Sequence, residues 1–416
     1  MMIFTAKVKI ESIIVFLFSI LPIVDSLNGF LVKNNSFSLG TMYKFFLVLF
    51  LFIIILRENK IRSYYLKILF LAVGYILFTV SINGMLSSET MINHDFWIKL
   101  IFNILLLFLL MECSERRYIT GNTIYCIFDF NVNLMILTII VPYILGIGNT
   151  IYAGKIGYKA FYYSQNELAV TLIILFYFCL YKMIYKVNIR NIFQLGGIGI
   201  SMILLNTKSA LVACILGVFI FVFEYLYRKG TRYKIFMFLG VIIAVISSYR
   251  FVLSQIQELM VRQNYLYRSY ENALVSTLTS GRITYLKSAW DYLLDDKMSI
   301  RLIIGNGFYS KHLIEMDFLD VFFYLGLIGL AGLLFLMWYI FKKSYDNFRT
   351  DYTVIRMFSY FLVVAYAFFV GHVFFVATSG CYFVLLCCFD MLYGPNINNN
   401  GEEKMLYEDI CNNCNL

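Results

Sequence analysis

The sequence predicts an all-α polytopic integral membrane protein with about twelve transmembrane helices and a large extracytoplasmic loop between the ninth and tenth. Three observations carry this reading. The 416-residue chain is 61% hydrophobic and only 14% charged, too little charge to cover a soluble protein of that length. Apolar runs of about 18 or more residues recur from end to end, long enough to cross roughly 30 Å of hydrocarbon. Lys and Arg gather in alternate short loops, as the positive-inside rule requires of cytoplasmic segments. That distribution also accounts for the net charge of +9, with no basic patch of the spacing expected for nucleic acid.

Taken in order, Lys7 and Lys9 precede an apolar run that lacks a small-residue cleavage site, so the start reads as a retained helix rather than a signal peptide. Span one covers 10–28, with Pro22 near its outer end, and span two 42–57. The loop RENKIRSYYLK, with Arg57, Lys60, Arg62 and Lys67, is cytoplasmic by charge. Span three (65–84) is followed by an outer loop poor in Lys and Arg, and span four (97–112) returns to Arg116 and Arg117. Span five (122–146) leads through a polar, aromatic outer loop to span six (167–185), which ends among Lys182, Lys186 and Arg190. Spans seven (192–206) and eight (209–227) are joined by the short NTKS, and a basic RKGTRYK precedes span nine (234–252). Four regions result: helices one to nine in 1–252, the extracytoplasmic loop 253–314, helices ten to twelve in 315–394, and a cytoplasmic tail 395–416. Within the third region the spans fall at 318–341, 353–375 and 378–394. The expected location is a bacterial cytoplasmic membrane, with the active face outside.

Of the nine Cys, Cys126, Cys179, Cys214, Cys381, Cys387 and Cys388 lie in predicted spans and read as small buried hydrophobes. Cys411 and Cys414 form a CNNC without a second pair or a nearby His, so neither a metal site nor a cofactor is expected.

The loop 253–314 and the start of span ten concentrate the polar residues. Thr279 or Ser280 is placed to cap a helix beginning near Arg282, and Ile283, Leu286, Trp290, Leu293 and Leu294 follow at helical spacing. The result is an amphipathic helix at the membrane surface, with Trp290 suited to the interface. At its N-terminus Arg282 either meets an oxyanion or is a solvated surface residue. Gly305 and Gly307 make a tight turn before the chain re-enters the membrane. Glu315, Asp317 and Asp320 at the mouth of span ten are candidates to accept a proton from a hydroxyl, or ordinary acids favoured at a helix start. His312 is a weaker candidate base, since a lone loop His is usually polar surface. Lys208, between two spans, is either a snorkelling interface residue or a cation at a helix N-terminus suited to phosphate. Gln165 and Asn166 open span six beside Tyr162 and Tyr163, an amide and aromatic grouping that favours sugar rings. Asp129 and Glu224 read as helix–helix contacts.

The order of YYSQNELAV, TKSALVACILGVF, SGRITYLKSAW, IIGNGF and an acidic span start ending in GLIGL resembles the O-antigen ligase/polymerase superfamily, and within it the Wzy-type polymerases of surface polysaccharide. At motif level the resemblance covers about 160–340. It implies catalytic roles for Arg282 and Lys208, which stand at the positions of two outward-facing Arg residues of the family. Lys208 keeps the charge there but loses bidentate phosphate binding. The His-Asn pair of the family's ligases is replaced by Glu315 and Met316, a departure from the ligase pattern. The activity implied is metal-independent, inverting glycosyl transfer between polyprenyl-diphosphate-linked oligosaccharides, building O-antigen, capsular or exopolysaccharide at the outer face. Glu315 and Asp317 would serve the acceptor hydroxyl, and Gln165, Asn166, Trp290 and His312 would bind substrate. Implied partners are the lipid-linked oligosaccharides, membrane lipids, and a chain-length regulator and flippase of the same pathway, with no nucleic acid. The alternatives are a flippase or other transporter of lipid-linked oligosaccharide, or a ligase of the same superfamily. A transporter more often shows two similar halves and mid-membrane coupling acids, which the sequence does not.

Overall fold

The computed structural model describes residues 2–35, 38–57, 63–86, 94–150, 157–228, 257, 260, 281–295, 299–305, 314–351 and 354–393. Their helices are α1 (Met2–Ser19), α2 (Leu21–Asn35), α3 (Leu39–Arg57), α4 (Ser63–Leu86), α5 (His94–Glu115), α6 (Gly121–Ile144), α7 (Gln165–Tyr185), α8 (Ile189–Leu205), α9 (Lys208–Arg228), α10 (Arg282–Asp295), α11 (Ser299–Ile304), α12 (Asp317–Asp351), α13 (Val354–Phe369) and α14 (Ala377–Leu392). Between α6 and α7 a minimal antiparallel ladder pairs β1 (Asn149–Thr150) with β2 (Tyr158–Ala160). The ninth expected span and most of the 253–314 loop lie outside the described residues.

Among the described residues five helices, α3, α6, α7, α9 and α12, are long and apolar enough to cross a membrane, and six if α1 and α2 count as one bent span. The protein is therefore a helical membrane protein, with α8, α13, α14 and part of α4 as shorter apolar helices. Side chains such as Phe45, Ile53, Ile215, Phe219 and Phe335 project from the bundle rim, as lipid-facing residues do.

α7 is the axis of the bundle. Its apolar window is 94% buried, against 28% for α9, and α8, α9, α13 and α14 pack round it. A helix apolar on every side has no solvent face to offer and is surrounded. Its polar Lys182 pairs with Asp129 of α6, which also binds Arg190 of α8. Lys182 also donates to Gln194 Oε1 at 2.6 Å. Glu224 accepts the N–H of Ile355 at 3.0 Å, tying α9 to α13. Asp129 and Glu224 thus serve helix–helix contacts.

Three expected spans are interrupted. The first breaks at Ile20, where α1 and α2 meet at 40°. Pro22 has no N–H for the carbonyl four residues back and its ring crowds that position, so it belongs in the first turn of a new helix. The tenth is kinked at Gly326, whose φ of 66° and ψ of −168° belong to a region essentially reserved for glycine. The Leu325 carbonyl beside the kink accepts the Tyr75 hydroxyl at 2.7 Å. Here the end of α11 crosses α12 so closely that a Cβ on Gly326 would lie 2.3 Å from the Ile303 carbonyl oxygen. The eleventh span ends early: α13 stops at Phe369, and residues 370–376 form a non-helical link to α14 rather than the end of a helix reaching 375. Gly371 and His372 turn the chain with φ of 72° and 65°.

Candidate functional site

The starts of α7, α9, α10, α12 and α14 frame the site. α10 places Arg282 at its first position, following Gly281, whose φ is 84°. The expected caps Thr279 and Ser280 lie outside the described residues. The buried stripe of α10 is Arg282, Ala289 and Leu293, with Leu286 partly covered, while Ile283 and Trp290 are exposed. The anticipated stripe was therefore offset: Arg282 is part of the packed face and not a surface residue. Trp290 meets Phe323 of α12 edge to face, with 6.2 Å between ring centroids.

Arg282 reaches the segment before α12. Its Nε donates to the Glu315 carbonyl at 3.0 Å, and Nη2 lies 3.3 Å from Glu315 Oε2. Glu315 precedes the helix, in a left-handed conformation with φ of 62°, so it does not share a helical face with the two aspartates. Asp320, one turn into α12, reaches back to this segment. Its two oxygens accept the N–H groups of Ile314 and Met316, each at 3.0 Å, on either side of Glu315.

Asp317 performs the same task for the α13–α14 link. It accepts the N–H groups of His372, Val373 and Phe374 at 2.9, 2.7 and 2.8 Å. The Ser379 hydroxyl of α14 donates to the His372 carbonyl. Gly371 allows the two segments to touch, because a Cβ there would fall 2.5 Å from the Glu315 carbonyl oxygen. This places His372 Nε2 3.7 Å from Glu315 Oε2. His372 holds Glu315 below the usual carboxylate range despite burial, with Arg282 adding to the effect. Burial opposes protonation of His372, but Glu315, Asp317 and Glu167 together outweigh it and raise the imidazole above its ordinary value.

The other residues singled out in the sequence fall on neighbouring helix starts. Gln165 Nε2 donates to the Leu205 carbonyl at 2.7 Å, tying α7 to the α8–α9 turn that carries Lys208. In that turn Asn206 is left-handed, and Thr207 Oγ1 caps the Ala210 N–H at 3.1 Å. Lys208 is half-buried at the first position of α9. Tyr366 joins the two groups: its hydroxyl lies 3.4 Å from the Asn166 carbonyl and bonds Ser209, and the ring is within electrostatic reach of Arg282 and Asp317. Of the tyrosines before α7, Tyr162 is buried with its hydroxyl 2.7 Å from Thr138 Oγ1, while Tyr163 is exposed. His312 lies outside the described residues.

Arg282, Glu315 and Asp317 thus meet, with Gln165, Asn166 and Lys208 on adjoining turns. His372 was missed by sequence reading because the run GHVFFV was absorbed into an apolar span; the signal was an ionisable residue after a glycine in such a run. Among the described residues no group of three His, Cys, Asp or Glu side chains is arranged to hold a metal. Comparison with protein-family models, with curated proteins and with solved structures finds no match for this chain.

Proposed function

We propose that this chain is a polysaccharide polymerase that joins polyprenyl-diphosphate-linked oligosaccharide repeat units at the outer face of a bacterial cytoplasmic membrane. The reading takes about twelve spans with both termini cytoplasmic, the count that alternating loop charge favours. The observation that carries it is the meeting of Arg282 with Glu315 across 33 residues of chain: a cation and a carboxylate where the start of α10 meets the mouth of the apolar α12, at which a lipid-linked substrate would present its headgroup.

The chemistry needs a stabiliser for the departing diphosphate and a group for the acceptor hydroxyl. Arg282 offers a guanidinium at the N-terminus of α10, where helix partial charge adds to its own. In a partly dehydrated groove such a cation stabilises negative charge as it develops on the leaving group. Lys208, at the start of α9, is suited to the second phosphate. Asp317 contributes by holding the 370–376 link against Glu315, a positioning role. A diphosphate is a good leaving group, and inversion follows from single displacement at the anomeric carbon, as the resemblance implies.

The test is the surface polysaccharide of cells carrying Arg282→Ala in place of the native chain. Single repeat units in place of polymer are expected. Polymer of normal length from a stably inserted variant would refute the assignment. Lipid-linked repeats trapped on the cytoplasmic side would indicate a flippase instead, and long chains left on the lipid carrier a ligase.

A further inference from the structure

The site as described contains charge but no evident proton carrier. Both oxygens of Asp317 are engaged by the N–H groups of His372, Val373 and Phe374, and both of Asp320 by Ile314 and Met316. Glu315 is paired with Arg282 and held below the usual carboxylate range by His372 and Arg282, which makes it a weak base. The imidazole of His372 remains.

Two features single it out. Glu315 and His372 both adopt left-handed backbone without being glycine, and these two strained residues face each other. Strain of this kind persists only where the surroundings over-determine it, and it clusters at functional sites. Here the surroundings are visible: Asp317 grips the His372 N–H, Ser379 its carbonyl, and Gly371 abuts the Glu315 backbone. The second feature is where the side chain is held. While the backbone is pinned on both sides, Nε2 is buried and forms no hydrogen bond among the described residues, its nearest acidic oxygen being Glu315 Oε2 at 3.7 Å.

Resting on the polymerase reading, we infer that His372 is the catalytic proton acceptor of the transfer and that Glu315 is its positioning residue. With Nε2–H directed at Glu315, neutral imidazole takes the proton of the acceptor hydroxyl at Nδ1 as that oxygen bonds to the anomeric carbon. The bond from that carbon to the diphosphate oxygen breaks, and its electron pair leaves with the diphosphate. The imidazolium then releases its proton to solvent. Burial disfavours the imidazolium, while Glu315, Asp317 of α12 and Glu167 of α7 favour it and outweigh burial. Arg282 of α10 acts on the ring through its pairing with Glu315.

The experiment uses the full-length protein in lipid vesicles, with lipid-linked repeat units extracted from cells that lack it, and follows polymer formation against pH. His372→Ala is expected to lose about 10²–10⁴-fold in rate, the usual contribution of acid–base catalysis, with partial recovery on adding free imidazole. Glu315→Gln is expected to shift the acidic limb of the rate profile to lower pH, because a neutral amide no longer supports the imidazolium. A His372→Ala rate close to that of the native chain, or an acidic limb unmoved by Glu315→Gln, overturns the inference. Should His372→Ala fail to insert, the Glu315→Gln profile decides alone. Absence of polymer from the native protein would instead overturn the polymerase reading.

Discussion

Replacing Asp317 by Ala tests whether this residue holds the architecture of the site. Asp317 is 2% exposed, and its carboxylate accepts three backbone N–H groups, at 2.9, 2.7 and 2.8 Å, from residues 55, 56 and 57 positions later in the chain. Hydrogen bonds to a charged group are worth about 1.5–3 kcal/mol each, so the gross attraction is roughly 5–9 kcal/mol. Against it stands the desolvation of a buried carboxylate, several kcal/mol in effect. Alanine removes both contributions but leaves the three amides without an acceptor. A net destabilisation of about 2–4 kcal/mol follows, concentrated in the α13–α14 link. Thermal unfolding in detergent, read by a thiol-reactive dye, is a direct assay, because Cys381, Cys387 and Cys388 on α14 are buried and unbonded. The expected result is a lower midpoint, accompanied by faster hydrogen exchange at residues 372–374. An unchanged midpoint with lost activity would refute this reasoning and return Asp317 to a direct chemical role.

Two further perturbations probe the bundle. Gly326→Ala forces a Cβ to within 2.3 Å of the Ile303 carbonyl oxygen in a conformation reserved for glycine, a cost of more than about 3 kcal/mol; recovery of a folded, monodisperse protein at native yield would contradict it. Lys44 and Asp25 form a 2.5 Å pair, each side chain 5% exposed, with Thr378 2.7 Å from the Lys44 ammonium. Lys44→Met leaves the acid unmatched and should cost about 3–5 kcal/mol, whereas adding Asp25→Leu should restore most of the midpoint. A double variant no more stable than the single one would show that the pair contributes more than mutual neutralisation.

Much of the bundle was readable without coordinates. α3 and α6 to α9 fall within a few residues of their expected spans, because a run that satisfies its backbone internally and buries or greases every side chain needs no distant partner to declare itself. α10 was legible as a helix with Arg282 at its start, and Glu315 and Asp317 as acids at the mouth of α12. The error in the stripe of α10 has a simple cause. Periodicity marks a side that is apolar, but Ala289 and the stem of Arg282 filled the packed face while Trp290 was left at the edge.

What the sequence determined by itself is the class of molecule: a helical membrane protein whose polar side chains gather in a few connections. The break at Gly326, the early end of α13, and the meeting of Glu315 with His372 were decided by tertiary structure. The physical reason is the range of the forces involved. Hydropathy and helical spacing act over one or two turns, so they register in any local window. A carboxylate that collects three amides 55 to 57 residues away, or two glycine backbones in contact at residues 305 and 326, leaves only a common residue type as its trace. Such a residue acquires its role when the fold brings the partner alongside.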